Sequence, residues 1–181
     1  MKMDGIESSH ITDTGIKFNV DKLLSLYKTV ENTSDCFLTP IQCSAGHQNS
    51  LNFGTKNFGK VSDKDCTHLL SHFTGTYIEE VIHQVNTIFS DFFACRARFI
   101  TLKSVDDLSG PSARSFHIDQ QKNRLLIPII DNEYSYLIMD NKLNKLELGK
   151  MYLLDTSVLH SPVNLHKTKE RVNLGITLWS R

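Results

Sequence analysis

The stretch Phe116–Ile130 reads FHIDQQKNRLLIPII. Two residues apart on an extended chain, His117 and Asp119 share one face, because strand side chains alternate with a period of two. An imidazole and a carboxylate on one face supply two of the three protein donors of a metal site. The run from Leu125 to Ile130 is apolar and reads as a strand. A third donor has to come from a later strand.

Eight histidines are available. His10, His47, His68, His72 and His83 fall in the first half of the chain. His68 and His72 are four apart in SDKDCTHLLSHF, read as a helical turn or two, and form a candidate metal pair. They lack the acidic partner of the HExxH pattern. His83 belongs to a predicted helix, where a solvent-facing or locally bonded histidine is the commoner outcome. His166 sits in the polar LHKTKE, which reads as a surface hairpin turn. His160, in MYLLDTSVLHSPVNL, follows a strand-like run and precedes Pro162. It is the expected third ligand.

Two imidazoles and one carboxylate on one side of an ion, with the remaining positions open, form the donor set of non-haem Fe(II) oxygenases. The open positions take a co-substrate and O2. If the co-substrate is a 2-oxo acid, its distal carboxylate needs a cation, best a two-pronged arginine. Arg171 opens the last strand-like run, a hairpin's length beyond His160. HxD alone is common by chance. The ordered set of HxD, a later His and then an Arg, in a β-rich half, is far more specific.

The whole chain gives this site a plausible setting. At 181 residues it is about one domain long, enough to bury roughly 70% of its unfolded surface. Hydrophobic residues make up 40% and charged residues 22%, as in ordinary globular proteins. Twenty basic and twenty acidic residues cancel, so the chain has no overall charge for binding nucleic acid or anionic lipid. The N-terminus lacks an apolar signal region, and LLIPII is far short of the ~20 apolar residues that span a bilayer. Cys36, Cys43, Cys66 and Cys95 have no CxxC or zinc-like spacing and read as thiols of a cytoplasmic protein.

Residues 1–95 read as helical and loop-rich, and residues 96–181 as the strand-rich core of a single domain. Val20, Leu23, Leu24 and Tyr27 recur at helical spacing behind an Asn/Asp cap. Ile78, Val81, Ile82, Val85, Ile88, Phe89 and Phe92 form the strongest helical stripe. Residues 33–62 read as loop with a short strand. From RARFITLKS onward, β-prone runs recur at RFITL, RLLIPII, YSYLIM, KLEL, MYLLD and RVNLGITLW, separated by turn-forming segments. Close spacing without intervening helices predicts a mainly β fold with flanking helices, a jelly roll or small barrel.

The string FHID…NRLLIPIIDN…LELGKMYLLDTSVLHSPVNLHKTKERVNLGITL resembles the 2-oxoglutarate/Fe(II)-dependent dioxygenases. Within them it is similar to the aspartyl/asparaginyl β-hydroxylase-like group, which includes free-proline hydroxylases. The matching features are His117, Arg124 before IPII, Gly149 with Tyr152, HSPVN from His160 to Asn164, and the closing Arg171; the resemblance covers about residues 96–178. It implies a cupin-like double-stranded β-helix, with His117, Asp119 and His160 holding Fe(II). Arg171 would bind the C5 carboxylate of 2-oxoglutarate, with Arg124 a second cofactor-side residue that either aids the co-substrate or holds a substrate carboxylate. The simpler role for Arg124 is an ion pair with an acidic neighbour. Leu126 stands where many members have a histidine, which removes one polar contact to the co-substrate. DDLSGPSARS replaces a PG turn, so the substrate-side loop differs. A carboxylate at Asp119 favours hydroxylation over halogenation, since related halogenases carry a small residue there.

The expected function is therefore hydroxylation of an amino acid or amino-acid side chain of the proline or Asp/Asn type, with succinate and CO2 as co-products. The expected partner is a small molecule or peptide. Three other readings compete, one of them a structural β domain without a metal, in which His117 and His160 satisfy core hydrogen bonds. RVNLGITLWSR echoes the R-x-N-x-T-x-R run of the alkylation-repair dioxygenases, but Gly175 stands in place of Thr and Thr177 in place of Arg, and the neutral charge offers no groove for phosphates. A non-catalytic cupin-like metal- or ligand-binding module would keep the ligands without turning over 2-oxoglutarate.

Overall fold

The structure is a computed structural model that describes residues 5–31, 37–51 and 61–181. In chain order its elements are β1 (Ile11–Lys17), α1 (Val20–Lys28), β2 (Leu38–Pro40), β3 (Gln42–Cys43), β4 (His68–Leu69), α2 (Tyr77–Ile88) and β5 (Phe92–Leu102). Then come β6 (Asn123–Ile130), β7 (Ser135–Met139), β8 (Lys142–Asn144), β9 (Lys150–Asp155), β10 (His160–Asn164) and β11 (Arg171–Ser180). The fold is mainly β, a jelly roll of the double-stranded β-helix type. No helix among the described residues is long and apolar enough to cross a membrane.

The chain divides into two compact units. The first comprises the described residues up to Phe18 together with Thr101–Asn173. Its larger sheet has the order β1-β9-β6 followed by the start of β11, and its smaller sheet the order β10-β7-β8. β9 lies antiparallel to β6, with Arg124 opposite Leu154 and Leu126 opposite Tyr152. β10 lies antiparallel to β7 from His160↔Met139 to Asn164↔Ser135.

The other edge of β10 is bonded by residues 112–117. Asn164 donates to the Ser112 carbonyl at 2.8 Å and Arg114 to that of Pro162 at 3.2 Å. The partners Ala113↔Val163 and His117↔His160 leave four steps on one chain against three on the other. That extra residue is a bulge, a device that re-aims side chains beside active sites.

The fully buried Asn164 ties this unit together. Its Nδ2 donates to the carbonyls of Leu102 (3.3 Å), Lys103 (2.9 Å) and Lys169 (2.9 Å). Its Oδ1 accepts from Asn132 Nδ2 at 3.0 Å and from the backbone N–H of His166 at 3.2 Å.

The second unit, Asn19–Ile100 with Leu174–Arg181, holds α1, α2, β2–β4 and most of β5 and β11. Asn19 caps α1 by accepting from the Lys22 N–H at 3.0 Å. Leu23 and Tyr27 are buried on its apolar stripe, and Ile78, Val81, Ile82 and Val85 on that of α2. Tyr27 and Phe73 pack edge-on against Phe99, with ring centroids 5.4 and 6.1 Å away.

Several expectations are corrected. β1, which no strand-like run predicted, belongs with Thr101–Asn173 in the first unit. α2 stops at Ile88, which is 42% exposed, and Phe92 opens β5. Asn86, in the last turn of α2, accepts from the Ala94 N–H of β5 at 2.7 Å. KLEL is not a strand; Lys142–Asn144 is. SDKDCTHLLSHF forms two 3-10 turns around β4 rather than an α-helix. The loop reading of residues 33–62 is met by β2 and β3 where described. Residues 52–60 and Cys36 lie outside the described residues, and Cys43, Cys66 and Cys95 are buried.

Asn164→Ala should lower stability by about 3 kcal/mol in urea unfolding, because several buried groups each lose a partner at ~1–3 kcal/mol. A loss below about 1 kcal/mol would show that these groups are satisfied without it.

Candidate metal centre

His117, Asp119 and His160 converge: one ligand atom from each lies within 4.8 Å of the others. His117 and His160 are brought side by side by the main chain. Each donates its N–H to the other's carbonyl at 3.0 Å, and their rings lie 4.3 Å apart. Asp119 is anchored two residues on, its N–H donating to the Thr156 carbonyl at 3.0 Å. Phe116 and Ile118 are 50% and 59% exposed, so the period-two alternation places the ligands on the inward face.

Both imidazoles are held in one tautomer. His117 Nδ1 lies 2.8 Å from the Ser115 carbonyl and His160 Nδ1 3.0 Å from that of Val158. A carbonyl can only accept, so each Nδ1 carries the proton and each Nε2 keeps its lone pair, the usual outer-shell arrangement of ligating histidines. His117 Nε2 is 3.9 Å from Asp119 Oδ1, and His160 Nε2 is 3.6 Å from Oδ2. Two donors bonded to one ion at about 2.1 Å can be at most about 4.2 Å apart, so the His117–Oδ1 separation fits a shared ion. Two neutral nitrogens and one carboxylate suit a divalent first-row metal.

Burial pushes the Asp119 carboxyl up. The nearby His160 imidazole and the Arg124 guanidinium outweigh it and hold the group at about 2. Burial lowers the pKa of His117, assisted by the like charges of His160 and Arg114. Both shifts favour the deprotonated, metal-binding forms at neutral pH.

Arg171 opens β11 with a side chain fully enclosed. Its Nη1 donates to the carbonyls of Tyr136 (2.7 Å) on β7 and Val163 (3.4 Å) on β10, crossing between the two sheets of the unit. Its Nε is buried without a hydrogen-bond partner. No carboxylate among the described residues lies within 4 Å of it. Asp131, the one acidic group that supports its charge, is ion-paired with Lys145. Burial lowers the Arg171 pKa to about 10, which still leaves it charged at neutral pH. Two residues along β11, Asn173 is 2% exposed with an unpartnered Oδ1. It was not singled out from sequence, though the alternation that puts it on the face of Arg171 was there to use.

Arg124 lies beside the metal donors, with Nη1 2.6 Å from Asp119 Oδ2. Oδ2 nevertheless accepts no aligned hydrogen bond, so the contact is ionic. The other histidines stay apart from this cluster. His166 Nδ1 accepts from the N–H groups of Thr168 and Lys169, and its Nε2 faces Glu133 at 3.6 Å. His10 faces Asp155 at 3.7 Å, His72 bonds Thr29, His47 bonds Ser44, and His83 is exposed on α2. His68 lies on β4 and His72 on a separate 3-10 turn.

This fold and site are those of a double-stranded β-helix with a His-Asp-His cluster. No protein-family model matches the chain, and no curated protein does. Solved structures do. AviO1 from Streptomyces viridochromogenes Tue57 superposes with a TM-score of 0.56 at 9% identity, over 98% of this chain and 90% of that one. The non-heme monooxygenase ThoJ, as its nickel complex, gives 0.52 at 9% identity, over 94% and 74%. A truncated viral collagen prolyl hydroxylase, vCPH from Paramecium Bursaria Chlorella virus-1, gives 0.51 at 10% identity, over 100% of both chains. At these identities the likeness is one of fold.

Anaerobic titration with Fe(II) or Co(II) should give one ion per chain. His117→Ala and His160→Ala should each weaken binding by about a hundredfold or more, beyond the ~10–100-fold loss typical of outer-shell changes. His166→Ala should bind as the parent does; weakened binding in that variant with His160→Ala unaffected would move the third ligand to His166.

Proposed function

We propose that this protein is an Fe(II)- and 2-oxoglutarate-dependent dioxygenase that hydroxylates an amino acid or amino-acid side chain of the proline or Asp/Asn type. The observation that carries this reading is Arg171, a buried cation without an anionic partner, in the same compact unit as the His117–Asp119–His160 cluster. An unpaired buried charge costs several kcal/mol, and proteins keep one where a ligand completes the pair. A 2-oxo dicarboxylate has the two ends this pairing needs, a chelating head for the metal and a distal carboxylate for the guanidinium.

His117, Asp119 and His160 would hold the iron. With iron bound, the centre supplies O2-dependent decarboxylation of 2-oxoglutarate to succinate and CO2, coupled to C–H hydroxylation. The protein's own residues bind and orient. Arg171 fixes the distal carboxylate, and the two backbone carbonyls that hold Nη1 fix the guanidinium in turn. The Nδ1–H bonds to Ser115 and Val158 keep both imidazoles in the ligating tautomer. The apolar Leu126, 5% exposed, would help exclude water.

The amino-acid class rests on the motif string around His117, Arg124 and HSPVN, and on a fold shared with a protein named as a prolyl hydroxylase. As an enzyme of this kind it would act on a small molecule or peptide in the cytoplasm, where its buried thiols stay reduced.

Incubation with Fe(II), 2-oxoglutarate and a panel of free amino acids and Pro-, Asp- and Asn-containing peptides should give substrate-dependent succinate. Stoichiometric metal binding with no succinate from any of them would favour the non-catalytic module. Asp119→Ala should abolish both succinate and hydroxylated product. Breaking a buried charge pair costs on the order of 3–5 kcal/mol. Arg171→Ala should therefore raise the 2-oxoglutarate requirement by roughly a hundredfold or more while metal affinity stays nearly constant. Arg171→Lys should recover only part, having a point charge in place of a fork.

A further inference from the structure

Arg124 is 8% exposed, and its guanidinium is aimed at Asp119, with Nη1 2.6 Å from Oδ2. The backbone brings the two residues together. Between Asp119 and Arg124 the chain folds over Thr156, whose Oγ1 donates to the Gln121 carbonyl and whose N–H donates to that of Lys122, each at 2.7 Å. Thr156 in turn accepts from the Asp119 N–H at 3.0 Å. One residue therefore pins both ends of the excursion, and the pairing of Arg124 with Leu154 on β9 fixes where the guanidinium starts.

We infer that Arg124 is a positioning residue for Asp119: it engages Oδ2, so that the carboxylate presents Oδ1 to the metal as a single donor. This rests on the metal-centre reading above and replaces the co-substrate role considered for Arg124. A free carboxylate can turn about its terminal bond and offer one oxygen or both. A guanidinium held at one oxygen removes that freedom, which keeps the protein's share at three donors and the remaining positions open. The same cation also repels a divalent ion, so the two effects of removing it oppose each other. If Arg124 acted only through its charge, its loss would tighten metal binding; as a positioning group, its loss weakens binding.

The test is Co(II) titration of the full chain, followed by visible absorption, for the parent, Arg124→Gln and Arg124→Lys. Arg124→Gln should bind Co(II) about 10–100-fold more weakly, the range for losing an outer-shell partner, with a shifted d–d spectrum. Its KM for 2-oxoglutarate at saturating Fe(II) should stay within about threefold of the parent's, well short of that range. Arg124→Lys keeps the charge beside Asp119 and guards against misfolding of the Gln variant. It should recover part of the affinity and still show an altered spectrum. Unchanged or tighter Co(II) binding in Arg124→Gln, or a parental spectrum in Arg124→Lys, would overturn the inference, as would a large rise in 2-oxoglutarate KM with metal binding intact. Failure of the parent itself to bind Co(II) would overturn the metal-centre reading as well, and so is distinguishable.

Discussion

The two backbone hydrogen bonds exchanged by His117 and His160 are the constraint on which the candidate centre depends. They join a segment with almost no regular structure of its own to β10, and β10 is held by β7 along its full length. Once these two residues face each other, their side chains leave the same face of the pair. The bulge between Ala113 and His117 sets the face that His117 presents, since a one-residue slip of its segment would turn that side chain outward while β7 still holds His160. The hydrogen bonds to Ser115 and Val158 then need no residue from elsewhere, because each histidine uses a carbonyl two positions back in its own chain.

Around this frame the charges are arranged unequally. Asp119 is accompanied by two imidazoles and a guanidinium, and its carboxyl is held at about 2 despite burial. Arg171 has only carbonyl dipoles and a distant Asp131 that Lys145 already engages. A folded protein tolerates the first arrangement because it is neutralised in place. The second is left for a ligand to complete. Such unsatisfied groups are rare in packed interiors, and those among the described residues are Asp119 Oδ2, Arg171 Nε, Asn173 Oδ1 and Thr177 Oγ1. Asp119 Oδ2 is at the metal donors, and the other three occupy alternate positions of β11.

Much of the site was legible in local spacing. His117 and Asp119 on one face follow from the alternation of an extended chain, and Arg171 from its place at the head of a strongly apolar strand. His160 could be preferred to His166 because a polar KTKE turn offers nothing to bury a ligand, and the structure spends His166 on turn N–H groups and Glu133. Arg124 was harder. Its sequence context allowed a co-substrate contact and an ion pair equally, and only the fold of residues 119–123 over Thr156 brought Asp119 within 2.6 Å. β1 and β10 were missed for different reasons. β1 is largely exposed and interrupted around Gly15, which weakens its alternation, and β10 carries Pro162, which ordinarily argues against a strand.

By itself, then, the sequence determined the donor types, their order along the chain and the mainly β class, because these depend on residue chemistry and on a period that local sterics impose. Tertiary structure decided how closely His160 converges on His117 and Asp119, which arginine is bound to Asp119 and which is left without an anion. It also decided that residues near the N-terminus share a sheet with strands more than a hundred positions away. Those outcomes depend on register between distant strands, and register is settled by the sum of many weak pairings that no local window contains.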